Sequence, residues 1–310
     1  MTSGVLMLLL TASPTVVLLT SHGATGELRF QPLDAKELSA PVVSFSHAEG
    51  SPVLGALLPG TRAVIATAVM ADAGDLSFSS ALLRLEAKRA QTLAGQVVYG
   101  SRPLVTAEGR VFVSRGAPGP LTSDGRVDAL TIDEVNPETG ALRTLYSSNG
   151  YLLFLAGAVG REVFIYELAP GVARLIAVHA DSLGVRELVP QLPPRARDFF
   201  VDAKRGRVFF VHSEGEAWRV AELSLSTRRW SDVAASRDVA MLPAVLSDGA
   251  LTFNDGPKAD GYERVVFVSS ALTLVQHEVP GEFPTLSTRG PKALRVPVRA
   301  LRVDVAGVLP

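Results

Sequence analysis

The chain has 310 residues, 47% hydrophobic and 20% charged, enough apolar material for a folded core and too little charge excess for a disordered tail. Its 30 basic and 31 acidic residues leave a formal net charge of −1 with no long run of either sign, which argues against a nucleic-acid partner and a basic membrane-surface helix. No cysteine is present, so disulfides, thiolate metal sites and a thiol nucleophile are excluded.

The missing cysteines suit the cytoplasm and equally an exported protein that needs no disulfide, so the compartment stays open between cytoplasmic and periplasmic or exported. Only five of the basic residues are lysines (Lys36, Lys88, Lys204, Lys258 and Lys292), which, with abundant Ala, Val and Leu, suits a GC-rich bacterial genome. At the N-terminus Val5 to Leu10 is apolar, but Met1 to Gly4 carries no charged side chain and Ser13-Pro14 breaks the run. That pattern favours a strand over a signal peptide and is too short for a membrane-spanning helix.

Apolar residues at helical spacing are almost absent along the chain. Runs of four to eight apolar or β-branched residues between Gly, Pro, Asp and Ser turns recur instead, which is the pattern of an all-β protein. One set of runs begins at Val16 (VVLLT), Ala63 (AVIATAV), Val111 (VFVS), Val163 (VFIY), Val208 (VFFV), Leu251 (LTF) and Leu294 (LRVPV), at intervals of 47, 48, 52, 45, 43 and 43 residues. A spacing of about 40–50 residues is that of four-stranded propeller blades.

Each of these runs is preceded by another, from Val5 to Leu10, Val53 to Leu58, Pro103 to Thr106, Tyr151 to Leu155, Phe199 to Val201, Met241 to Leu246 and Pro284 to Leu286. Turns such as Ala158-Val159-Gly160-Arg161 and Lys204-Arg205-Gly206-Arg207 join the two runs into a hairpin. Third strands are expected at Leu28 to Phe30, Leu76 to Leu85, Val127 to Val135, Ala173 to Val178, Trp218 to Leu225, Tyr262 to Val268 and Leu301 to Val305. Fourth strands are shorter and more polar, for example Leu142 to Tyr146 and Thr273 to Gln276.

The expected architecture is a seven-bladed β-propeller of four-stranded antiparallel blades, formed as a single domain over 1–310. The alternative is six blades plus a C-terminal extension, because no fourth strand follows Leu301 to Val305. The segments YLLFLAGAVGREVFIYEL and FFVDAKRGRVFFVHSEGEAWRVAELS resemble the repeats of TolB-like and PD40-type WD40-like bacterial propellers. The resemblance implies a rigid scaffold whose second-to-third and fourth-to-first connections share one face, where propeller ligands bind.

On that face the sequence places Tyr99, Arg102 and Arg197 with seven candidate ligand-binding residues: His22, Arg115, Asp124, His212, Glu214, Asn254 and Asp255. His22, His212 and Asn254-Asp255 fall at similar points after a second strand, so imidazole and carboxylate groups converging there form an acid–base pair or a cation site. The ordinary reading is that they are polar turn residues. Arg115 and Asp124 belong to the Gly- and Pro-rich stretch VSRGAPGPLTSDGR, the longest such connection, of the kind that carries binding on rigid scaffolds.

No nucleophile elbow, phosphate-binding glycine loop, zinc-protease helix or calcium loop occurs, and no metal or cofactor is assigned. Two readings of function remain. One is a non-enzymatic scaffold that binds a protein or small ligand on its loop face. The other is an enzyme at the channel mouth, a lactonase-like hydrolase, a lyase or a cyclase.

Overall fold

The computed structural model describes residues 15–32, 38–70, 80–116, 130–194, 196–203, 205–214 and 217–236, and then strands between residues 244 and 309, mainly as backbone. All regular structure among these residues is β, and no helix is long and apolar enough to cross a membrane. In chain order the strands are β1 (Thr15–His22), β2 (Thr25–Pro32) and β3 (Val43–Ser46), then β4 (Val53–Leu57), β5 (Val64–Val69), β6 (Ser80–Glu86) and β7 (Arg89–Val97). Next come β8 (Leu104–Val105), β9 (Val111–Gly116), β10 (Leu130–Val135) and β11 (Leu142–Ser148), then β12 (Leu152–Val159), β13 (Glu162–Ala169), β14 (Val172–His179) and β15 (Val185–Val189). They are followed by β16 (Arg197–Asp202), β17 (Arg207–Glu214), β18 (Ala217–Ser224), β19 (Arg229–Ser236), β20 (Ala244–Val245) and β21 (Leu251–Thr252). The last strands are β22 (Asn254–Lys258), β23 (Gly261–Ser269), β24 (Leu272–Glu278), β25 (Thr285–Arg289), β26 (Val296–Pro297) and β27 (Arg302–Leu309).

Consecutive strands pair antiparallel into four-stranded units, β12 to β15 and β16 to β19 being complete examples. The units β4 to β7 and β8 to β11 touch through the single pair Val97 and Arg115, which joins them into one larger sheet. Each unit is covered on both faces by its neighbours. On one face of the β12 to β15 sheet, Val163, Ile165, Ile176 and Val178 pack with Phe112, Ile132 and Leu145; on the other, Phe164, Tyr166, Leu175 and Ala177 pack with Val208, Phe210 and Leu223. Burial on both faces explains why second and third strands read as nearly continuous apolar runs rather than as alternation. Fourth strands are wetter, and Leu142, Arg143 and Thr144 of β11 are all exposed.

The first strands of successive units pack side by side: β4 against β27, β8 against β4 and β12, β16 against β12, and β20 against β16. These contacts are close. A side chain on Gly307 of β27 would meet Leu57 Cβ at 2.8 Å, and one on Gly157 of β12 would meet Val201 Cγ2 at 2.5 Å. Gly157 also has φ +146, in a region that L-residues rarely enter. The expected hairpin turn at Gly206 holds, with φ +62.

The ends of the chain differ from expectation. Leu301 to Val305 is not a third strand of a seventh unit: β27 instead pairs along β1 from Thr15 opposite Leu309 to Ser21 opposite Arg302, completing the sheet β27-β1-β2-β3. The edge of β1 is thereby satisfied, which open sheet edges require. Val5 to Leu10, the run expected to fill this place, lies outside the described residues. The expected strands at Pro284 and Leu294 correspond to β25 and β26, which extend the sheet of β23 and β24 rather than starting a new one.

Candidate functional site

Because β1 ends, and β4, β8, β12, β16 and β27 begin, at one end of their sheets, the connections there form one face. His22 is the last residue of β1 and is exposed beside the turn at Gly23. His212 lies in β17 and is buried between rings, with centroids 6.0 Å from Phe210 and 5.6 Å from Trp230. Its Nε2–H donates to Asp232 Oδ1 at 2.7 Å, and Asp232 Oδ2 lies 3.4 Å from Arg219 Nη1. Three strands build this group, since Arg219 sits opposite His212 in register and Asp232 comes from β19.

Arg115 is a strand residue rather than a loop residue, because β9 runs on to Gly116. Its Nη1 donates to Asp133 at 2.9 Å and its Nε to Gly95 O at 2.8 Å. Asp133 is buried and also accepts from Thr131 and Thr144, so Arg115 closes a fully bonded carboxylate. Glu214 ends β17 opposite Ala217, and Asn254 lies opposite Arg264 with Asp255 next to it in β22, all described as backbone. Asp124 lies outside the described residues.

His22, Arg115 and His212 thus sit on three different sheets, and the last two have partners within their own sheet. Among the described residues no group of three or more His, Asp and Glu side chains is arranged to hold a metal ion.

A pairing invisible in the sequence joins two of these strand openings. Asp304 of β27 is buried and accepts from Arg102 Nη2 at 2.5 Å and Nη1 at 2.9 Å, and from the Gly55 amide of β4 at 2.9 Å. Arg102 Nη1 donates as well to Gly55 O at 2.8 Å, and the backbone before it is held by Thr67 Oγ1 donating to Ser101 O at 2.7 Å. The Arg102 side chain remains 46% exposed. Tyr99, in the turn before it, and Tyr151, just before β12, are exposed to 45% and 43%.

The proline-rich segment between β15 and β16 is fixed to the same region. Leu192 and Ala196 are buried, and Tyr166 of β13 donates its hydroxyl to Pro193 O at 2.8 Å. Burial pushes the Tyr166 hydroxyl up to about 12. At the opposite end, turn arginines are paired: Arg110 with Glu134 and Asp181, Arg161 with Asp181, Arg207 with Glu222. Burial alone would raise Glu134, but hydrogen bonds from Arg110 and Arg143 outweigh it and hold the carboxyl below its ordinary range.

No family model and no curated protein matches this sequence. Solved structures do match. TolB from Acinetobacter baumannii is 10% identical, with 96% of this chain and 67% of that chain covered at a TM-score of 0.56. The periplasmic gluconolactonase of Pseudomonas aeruginosa is 13% identical, with 93% and 99% covered at a TM-score of 0.59. A chain of a nidogen/laminin complex is 10% identical, with 94% and 99% covered at a TM-score of 0.52.

The fold is that of a β-propeller. It resembles the TolB-like propellers, as the strand and Gly-Arg turn repeats imply, and at these identities the likeness speaks for architecture alone. Enzymes and non-enzymatic proteins both stand among the propellers it matches.

Proposed function

We propose that this propeller is a non-enzymatic scaffold that binds a protein or a small ligand on the face where its inner strands begin. The observation that carries the reading is the separation of its candidate reactive groups. His22, Arg115 and His212 lie on different sheets, and Asp133 and Asp232 occupy the latter two, whereas Tyr99, Tyr151 and Arg102 are presented to solvent from rigid strand openings. Exposed Tyr and Arg on a fixed frame are the side chains that binding surfaces favour. The similar nidogen propeller is found in a complex with laminin.

The chain forms one domain over 1–310. Of the two blade counts, six is supported by the inner strands β27, β4, β8, β12, β16 and β20, and by β25 and β26 pairing onto the sheet before them rather than opening a seventh.

The second reading is an enzyme at the channel mouth, favoured by the likeness to gluconolactonase and by the 2.7 Å pair of His212 and Asp232, in which a carboxylate orients an imidazole as it does for general bases. Assays of the purified chain for lactone hydrolysis, β-elimination and cyclisation decide between them. The scaffold reading expects rates equal to the uncatalysed ones. A turnover that falls by about a hundredfold in both His212→Ala and Asp232→Asn overturns it.

A further inference from the structure

We propose that the loop-face mouth of the channel takes a small anion bearing two or more carboxylates. The inference rests on the loop-face reading above and names the chemistry that face recognises.

Three inner strands on alternate sheets open on an arginine. Arg102 stands two residues before β8, Arg197 is the first residue of β16, and Arg302 is the first residue of β27. The inner strands between them, β4 and β12, open on Val53 and Leu152. Because β27, β4, β8, β12 and β16 lie side by side in that order, the three arginines are spaced around the same end of the array. The described carboxylates at these openings are Asp304, buried under Arg102, and Glu49, in the turn before β4.

Arg102 shows how such a residue is pre-set. Asp304 and Gly55 O grip its guanidinium from below, so the group is held at the rim without folding away, and nearly half of the side chain faces water. A guanidinium presents paired N–H donors that match a carboxylate, and several around a narrow, low-dielectric opening add their fields there. The exposed rings of Tyr99 and Tyr151 stand in the openings of β8 and β12 and supply flat apolar faces with hydroxyls for the carbon frame between the carboxylates. The opposite end of the channel differs: its turn arginines Arg110, Arg161 and Arg207 are matched by Glu134, Asp181 and Glu222.

The probe is citrate, titrated calorimetrically into the full chain at constant ionic strength. Saturable binding is expected, weakened about tenfold in each of Arg197→Gln and Arg302→Gln and changed less than about twofold in Arg161→Gln and Arg207→Gln, which remove the same charge at the other end. Thermal unfolding of each variant establishes that it is folded. Absence of saturable heat overturns the proposal, as does equal weakening by all four substitutions. Binding that ignores Arg197→Gln and Arg302→Gln but is lost in the Tyr99→Ala, Tyr151→Ala double variant overturns the carboxylate site and leaves the loop-face reading standing. Binding lost only in Arg161→Gln and Arg207→Gln overturns both.

Discussion

The hydroxyl of Tyr166 has exchanged water for a single carbonyl, that of Pro193, in a site where its ionised form has no support. Its folded value of about 12 lies above the ordinary tyrosine value of 10. Between these two values the unfolded chain releases the proton and the folded chain keeps it, so the stabilisation is complete below pH 10 and is lost as pH rises toward 12. The melting temperature is therefore expected to fall across that alkaline window, and Tyr166→Phe to flatten the fall while costing about 1 kcal/mol at neutral pH through loss of the hydrogen bond. At this scale the sequence was least informative. Arg115 looked like a loop residue because the Gly- and Pro-rich stretch begins just after it, yet one more turn of β9 turns its charge toward Asp133, a residue 18 positions away. His212 looked like a turn residue for the same reason. Its partner Asp232 lies two strands on, and nothing in the local pattern announces a carboxylate there.

Among the elements, the inner strands carry the tightest steric demand. Gly157→Ala places a methyl against Val201 and requires an L-residue at φ +146, a combined cost of about 2–4 kcal/mol. Gly160→Ala, in the neighbouring turn at φ +56 with open space around it, is expected to cost about 1 kcal/mol. Urea denaturation of the two variants separates contact from conformation, and equal losses would remove the role assigned to inner-strand packing. Second and third strands were legible because neighbouring sheets bury both of their faces, leaving Val163, Phe164 and Ile165, or Val208, Phe209 and Phe210, in one unbroken run. Inner strands were harder to bound: β8 is two residues long, and β4 interrupts its apolar sequence with the glycine that receives Asp304. Outer strands such as β15 are too exposed to read as anything but loop.

For the whole molecule, the decisive contact is the one between residues far apart in sequence. Asp304→Ala removes both Arg102 bonds and orphans the Gly55 amide, and since Arg102 is half exposed the expected loss is about 2 kcal/mol rather than the larger value of a fully buried pair. A melting temperature lowered by about 4 °C with an unchanged slope in urea is the expected result. An unchanged melting temperature would mean that β27 is held by strand pairing alone. Seven repeats were counted in the sequence, but periodicity does not reveal which sheet a strand joins, and so β27 was placed at the wrong end of the array. Its partner β1 is made first and β27 last. At about 5–20 residues per second, the stretch from His22 to Arg302 takes roughly 15–60 s to synthesise. During that interval the amide and carbonyl groups along one side of β1 have no strand to bond. The nascent chain thus carries a sticky edge for tens of seconds, and its yield in the cell depends on what shields that edge until the last strand arrives.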